Sequence, residues 1–82
     1  MPTALRIGPY RIYFYSYDCD EPQHMHVDRD SASAKFWLEP TVALAVNYGF
    51  SRRELRAIER ILIEHLETLQ HEWHNFCADA NS

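Results

Sequence analysis

HMHVDRDSASAKFWLE, residues 24–39, reads as two strands and the turn between them. Apolar Met25 and Val27 alternate with His24, His26 and Asp28, and apolar Ala34, Phe36 and Leu38 alternate with Lys35, Trp37 and Glu39. Alternation with period two marks a strand with one buried face, and the polar Arg29-Asp-Ser-Ala32 between the runs has the composition of a turn. Upstream, Leu5 and Ile7 lead into Gly8-Pro9-Tyr10, and Arg11 to Tyr17 alternates again. This predicts a first hairpin, followed by a loop over the acidic, proline-containing Asp18 to Gln23. Residues 1–39 thus predict an antiparallel sheet of about four strands in two hairpins.

Downstream, Pro40 stands where helices often begin, and residues 40–50 predict a short helix over Thr41 to Tyr48 with a turn at Gly49. Ser51-Arg-Arg-Glu54 has the form of a capping box, in which the serine hydroxyl accepts from the Glu54 amide and the glutamate reaches back. From there Leu55, Ile58, Leu62, Leu66, Leu69, Trp73 and Phe76 recur three or four residues apart without proline or glycine. That spacing predicts one long amphipathic helix over 51–78 and a frayed tail over 79–82. Strands first and helices last give an α+β fold in a single domain, with the long C-terminal helix packed on one face of the sheet.

The chain has 82 residues, 46% hydrophobic and 24% charged, enough for one core and too few for two. So small a core leaves a thin margin of stability, which favours a homodimer or a bound partner. A net charge of −4 argues against non-specific coating of DNA. No signal-peptide pattern opens the chain, and the longest aliphatic run, Val42 to Val46, is far short of the ~18 residues a membrane span needs. The expectation is a cytoplasmic protein without membrane association. Cys19 and Cys77 share no Cys-x-x-Cys spacing and are expected to be free thiols in a reducing compartment.

Alternation divides the side chains between two faces. Leu5, Ile7, Ile12, Phe14, Met25, Val27, Ala34, Phe36 and Leu38 form the expected core. The opposite face collects Arg6, Arg11, Tyr13, Tyr15, Tyr17, His24, His26, Asp28, Lys35, Trp37 and Glu39. Cations, imidazoles and aromatic rings on one surface can bind phosphate, move a proton near neutral pH and stack on bases. The same residues equally suit a dimer interface, a docked partner or an ordinary solvated sheet.

His24 and His26, two apart on a strand, point to the same side roughly 7 Å apart at the backbone, a spacing open to a metal. A third ligand would come from Asp28, Glu21 or Asp20, or from His65 if the helix edge folds against the strand. His65 lies at the edge of the apolar stripe, whereas His71 and His74 turn to solvent. Arg52, Arg53, Arg56 and Arg60 share the outer half of the helix near its start, where arginines and free amides could meet phosphate. Against this, arginines in a first turn oppose the helix dipole, and Arg60 can pair with Glu64 at i,i+4.

Several of these segments together resemble a known family. They are Pro2 to Ser16 with Leu-Arg-Ile-Gly-Pro-Tyr-Arg-Ile, Glu21-Pro-Gln-His-Met-His-Val27, Ala34-Lys-Phe-Trp-Leu-Glu-Pro40, and Gly49-Phe-Ser-Arg-Arg-Glu-Leu55 through Trp73. The chain is similar over nearly its whole length to the small bacterial family called domain of unknown function 4160. Members are often encoded beside another small protein, so the resemblance implies one half of a toxin–antitoxin pair with a small cognate protein partner. Its characteristic positions fall on Arg6, His24, His26, Lys35, Trp37 and His65. The resemblance assigns none of them a chemical step.

The leading expectation is a toxin-like component acting on RNA. Its catalytic set would be His24, His26 and Lys35, with either histidine as general acid or base for attack by a 2′-hydroxyl without metal. Arg6, Tyr13, Tyr15, Trp37 and His65 would bind substrate, with Arg52, Arg53 and Arg56 as a secondary nucleic-acid contact. No cofactor is expected. The alternatives are a non-enzymatic module whose aromatic face dimerises or docks a partner, and a metal-binding domain using His24 and His26.

Overall fold

A computed structural model describes residues 3–80, and within them the side chains of residues 4–15 and 18–78. The expected placement of Tyr17 on the open face, and of residues 81 and 82 in a frayed tail, lies outside the described residues, whereas residues 79 and 80 of that expected tail continue the last helix. The fold is α+β. Strands β1 (Thr3–Ile7), β2 (Tyr10–Tyr13), β3 (His24–Arg29), β4 (Ala32–Trp37) and β5 (Ala43–Tyr48) form one sheet in the order β1-β2-β3-β4-β5. Every neighbouring pair is antiparallel. A 3₁₀ turn at Ser16–Asp20 links β2 to β3, and α1 (Arg52–Glu64) and α2 (Leu66–Ala80) follow β5.

Both expected hairpins form. Gly8 (φ 56°) turns β1 into β2, and Asp30 (φ 52°) turns β3 into β4, a left-handed conformation that aspartate tolerates better than most residues. The paired residues Ile12 with Val27, Val27 with Ala34, and Met25 with Phe36 share one face, so their side chains stack across the three central strands. With Phe14, Leu38 and Phe50 from the sheet side, and Ile58, Leu62, Leu69 and Trp73 from the helices, they make the buried core. Leu5 and Ile7 pack against it from β1 while remaining partly exposed.

Three expectations are corrected. Residues 43–48 are a fifth strand, where a short helix is predicted over 40–50. A run such as Val42-Ala-Leu-Ala-Val46 suits either conformation locally, and the outer edge of β4 offers backbone groups that only a strand can pair. Gly49 (φ 101°) then turns the chain into α1 instead of closing a helix, with its α-carbon face against Ala32. The second correction is the helix. It begins where the cap predicts, with Ser51 Oγ accepting from the Glu54 N–H at 3.2 Å. The Glu54 carboxylate does not reach back, however, because it accepts from Arg29 (2.9 Å) and from the Tyr10 hydroxyl (3.1 Å).

The single helix predicted over 51–78 is two, separated at His65, whose backbone leaves the helical range (φ −106°, ψ 15°). Neither proline nor glycine causes the break. We attribute it to the anchoring of α2 at its far end, where Trp73 packs on Phe14 (ring centroids 5.1 Å apart) and Cys77 is bonded to Cys19. That bond is the third correction. The cysteines, expected as free thiols, form a disulfide between the 3₁₀ turn and α2, with Cα atoms 5.6 Å apart. No helix among the described residues is long and apolar enough to cross a membrane.

Candidate functional site

Two residues assigned by alternation to the open face are buried. Tyr13 is covered by the rings of Tyr15 and His26 and by the Arg11 guanidinium, 4.6 Å above it. His24, at 0% exposure, lies against Trp37, Trp73 and His26, with ring centroids 5.1–5.7 Å away. Trp73 reaches both Phe14 and His24, so α2 closes the end of the sheet where β2 finishes and β3 begins. Alternation places a side chain on a face; it does not say what covers that face.

The 3₁₀ turn carries a buried carboxylate to this end of the sheet. Asp18 Oδ2 accepts from the Tyr15 N–H at 2.9 Å, and lies 3.2 Å from His26 Nε2 and 3.1 Å from His24 Nε2. The two imidazoles therefore converge on one oxygen. His24 Nδ1 lies 2.9 Å from the Pro22 carbonyl, which can only accept, so Nδ1 carries the hydrogen. In the neutral ring Nε2 then bears a lone pair. This nitrogen is buried and has no aligned hydrogen-bond partner, although the Asp18 oxygen is within reach. At 3.1 Å from the carboxylate oxygen, this nitrogen and Asp18 are both satisfied only by a proton or another cation between them.

Electrostatics divides the groups. Burial pushes the Asp18 carboxyl up, but the Tyr15 N–H and the two imidazoles outweigh it and hold it below the ordinary carboxylate value. His26 is shifted down, first by burial and then by His24 and Lys35, with Asp18 pulling the other way. At neutral pH an ionised Asp18 therefore faces a neutral His26, whose side chain keeps 21% exposure. Tyr13, stacked on His26, is raised well above the usual phenol value by burial and by hydrogen bonds with Tyr15 and Asp28, so it stays protonated.

The remaining expected site residues are only partly gathered here. Lys35 is the cross-strand partner of His26, and its ammonium bonds Glu21 (3.0 Å) and sits 4.5 Å over the Trp37 ring. Tyr15 and Trp37 frame the histidines edge-on, at 4.9 and 5.7 Å between centroids. Arg6 is exposed on edge strand β1, paired with Arg11, in a row that continues to Asp28 and not to His26. His65 occupies the junction of the two helices, and no described contact joins it to the cluster. Arg52, Arg53 and Arg56 lie exposed with Arg60 on the outer side of α1. That helix start is tied by Glu54 to Tyr10 and Arg29, at the opposite end of the sheet from His24. Arg60 makes no ion pair with Glu64 among the described residues.

Asp18 is the member that the sequence did not point to. The expected acidic partners were Asp28, Glu21 and Asp20, and of these Glu21 pairs with Lys35 instead. A 3₁₀ turn has no hydrophobic period to betray its orientation, and nothing in Tyr17-Asp-Cys-Asp20 marks the first aspartate as the inward one. Compared with known families, residues 10–74 match the family model described as a domain of unknown function, DUF4160, and the chain belongs to that family. The matched region runs from β2 to His74 and includes Asp18, His24 and His26. No curated protein and no solved structure matches the chain.

Proposed function

We propose that this protein is a non-enzymatic interaction module that extends its sheet across β5, pairing with the same strand of a second copy. The observation that carries the reading is the state of that edge. Leu44, Val46 and Tyr48 are 44%, 38% and 68% exposed, and no charged residue lies between Val42 and Gly49. A free strand edge offers a row of unpaired N–H and C=O groups, which most monomers protect with lysine, proline or an inward charge. β1, the other edge, carries Arg6 and lies against α2. β5 has only an irregularity in its pairing near Ala45.

Antiparallel self-pairing centred near Ala45 sets Leu44 of one copy opposite Val46 of the other, and opposes no like charges in a chain of net charge −4. A small cognate protein partner, as in a toxin–antitoxin pair, would compete for this edge by the same strand addition. The test is the mass in solution, by light scattering, of the wild type and of Val46→Lys. A wild-type dimer and a folded monomeric variant are expected; a wild type that is monomeric at every concentration overturns the reading.

One observation favours a second reading, action on RNA. Asp18 and the partly exposed His26 form a carboxylate–imidazole pair, the arrangement by which a histidine is oriented for proton transfer. Because His24 is wholly buried, contact with a polymer would fall to His26, and Lys35 would have to leave Glu21 to hold a phosphate. RNA cleaved by the wild type and left intact by a folded His26→Ala protein is the outcome this reading requires, and RNA left intact by both refutes it.

A further inference from the structure

The unsatisfied nitrogen of His24 has a consequence that neither interaction nor RNA chemistry uses. We propose that Asp18, His24 and His26 form a binding site for a divalent first-row transition ion of the Zn²⁺ class, held by Oδ2 of the aspartate and the two Nε2 atoms.

Geometry is the first support. One ligand atom from each of the three residues lies within 4.8 Å of the others. Metal–ligand bonds of about 2.1 Å put neighbouring ligand atoms roughly 3.0–3.4 Å apart in octahedral or tetrahedral arrangements. The two imidazole-to-carboxylate separations, 3.1 and 3.2 Å, already fall in that range.

The buried orphan is the second support, and it is independent of the first. With Nδ1–H committed to the Pro22 carbonyl, His24 aims a fully buried Nε2 that no hydrogen bond satisfies at a carboxylate oxygen. A buried acceptor left unpaired is costly, and a facing anion does nothing to relieve it. A cation between the two atoms would. Histidines that bind metals commonly donate their other ring N–H to a backbone carbonyl, which fixes the tautomer, and the Tyr15 N–H supports the carboxylate in the same way.

The donor set narrows the ion. Two imidazoles and a carboxylate suit zinc, cobalt, nickel, copper or iron(II) better than magnesium or calcium, which prefer all-oxygen shells. Cys19, adjacent to Asp18, is bonded to Cys77 and supplies no thiolate. His24 and Asp18 are buried and His26 is partly exposed, so the open coordination positions lie on the His26 side, where water or a ligand could enter.

The test is calorimetric titration of chelator-treated, disulfide-intact protein with Zn²⁺, and with Co²⁺ followed by its visible ligand-field bands. One site per chain is expected. Asp18→Asn and His26→Ala should each weaken it by at least ~100-fold, because losing even a group that only hydrogen-bonds a ligand costs about 10–100-fold. His71→Ala, whose imidazole bonds only the exposed Asn75, should leave it unchanged, which separates the site from a surface imidazole. Circular dichroism establishes that each variant is folded, and His26, being partly exposed, is the substitution least disruptive to packing. No saturable binding by the wild type overturns the proposal, as does equal binding by His26→Ala. It is also overturned if ¹⁵N spectra of the chelated protein show His24 Nε2 protonated at neutral pH and indifferent to Zn²⁺, since a proton would then be the resident cation. None of these outcomes depends on whether the β5 edge dimerises.

Discussion

Breaking the Cys19–Cys77 bond should remove a large share of the stability of this fold. The bond closes a loop between residues 58 apart in sequence, which contains three of the five strands, β3 to β5, and all of α1. In the chain-entropy treatment, a cross-link over that separation costs the unfolded state about 14 cal/mol/K, or about 4 kcal/mol at 25 °C. A domain of this length has a total stability of roughly 4–12 kcal/mol. Reduction should therefore lower the melting temperature by about 20 °C, given the 4–8 °C per kcal/mol typical of domains this small. The assay is thermal melting of oxidised wild type, reduced wild type and Cys77→Ala, with thiols titrated in denaturant. No thiol should react before reduction and two should react after it. Reduced wild type is the cleanest comparison because it keeps every side chain, whereas the variant also loses the sulfur buried beside Trp73. If the oxidised protein already shows two reactive thiols, or if all three melt within a few degrees of one another, the cross-link does not hold α2 to the sheet and the reasoning fails.

Three further outcomes follow from other parts of the structure. His26 has a folded-state pKa below its ordinary 6.5, so the unfolded chain binds the proton more readily and stability should fall as pH drops below about 6.5. Denaturant titrations between pH 5 and 8 on wild type and His26→Ala check this, and the variant should show the flatter profile. Phe14→Ala removes a ring buried against Trp73 and Phe76 and should cost about 3–5 kcal/mol. Equilibrium unfolding in urea measures it. Ser51→Ala deletes the acceptor for the Glu54 N–H at the start of α1 and should cost about 1 kcal/mol, read as a shift in the urea midpoint at unchanged slope.

What was legible in the sequence is what local periodicity encodes. Alternation located β2, β3 and β4, and seven of the nine expected core residues are buried, Leu5 and Ile7 being partly exposed because β1 is an edge. The cap at Ser51 fixed the start of α1 because that signal is a hydrogen bond between residues three apart. β5 failed this test for a physical reason: Val42 to Val46 has no polar residue to give it a period, and its conformation was settled by pairing with β4. The break at His65 and the disulfide share one cause, the docking of α2 on residues 50 or more positions away, for which no local pattern exists.

The candidate site divides along the same line. The two histidines share a face because strand geometry requires it, and that much the spacing gave. Three things converted a pair of imidazoles into a centre, and none follows from the strand period: a carboxylate from a 3₁₀ turn, a carbonyl two residues back at Pro22 that fixes the His24 tautomer, and a distant tryptophan from α2 that covers the ring. Water exclusion is the decisive one. In an exposed setting His24 Nε2 would accept from solvent and its approach to Asp18 would carry no cost; buried, it must have a cation or a proton between itself and the carboxylate. The helix that closes the end of the sheet thus turns an ordinary surface pair into a site with a defined charge requirement. A Trp73→Ala protein that stays folded through its disulfide should admit water to His24 and bind Zn²⁺ more weakly, with Asp18 and His26 still in place. Undiminished affinity in that variant would show that the ligands alone, and not their burial, set the strength of the centre.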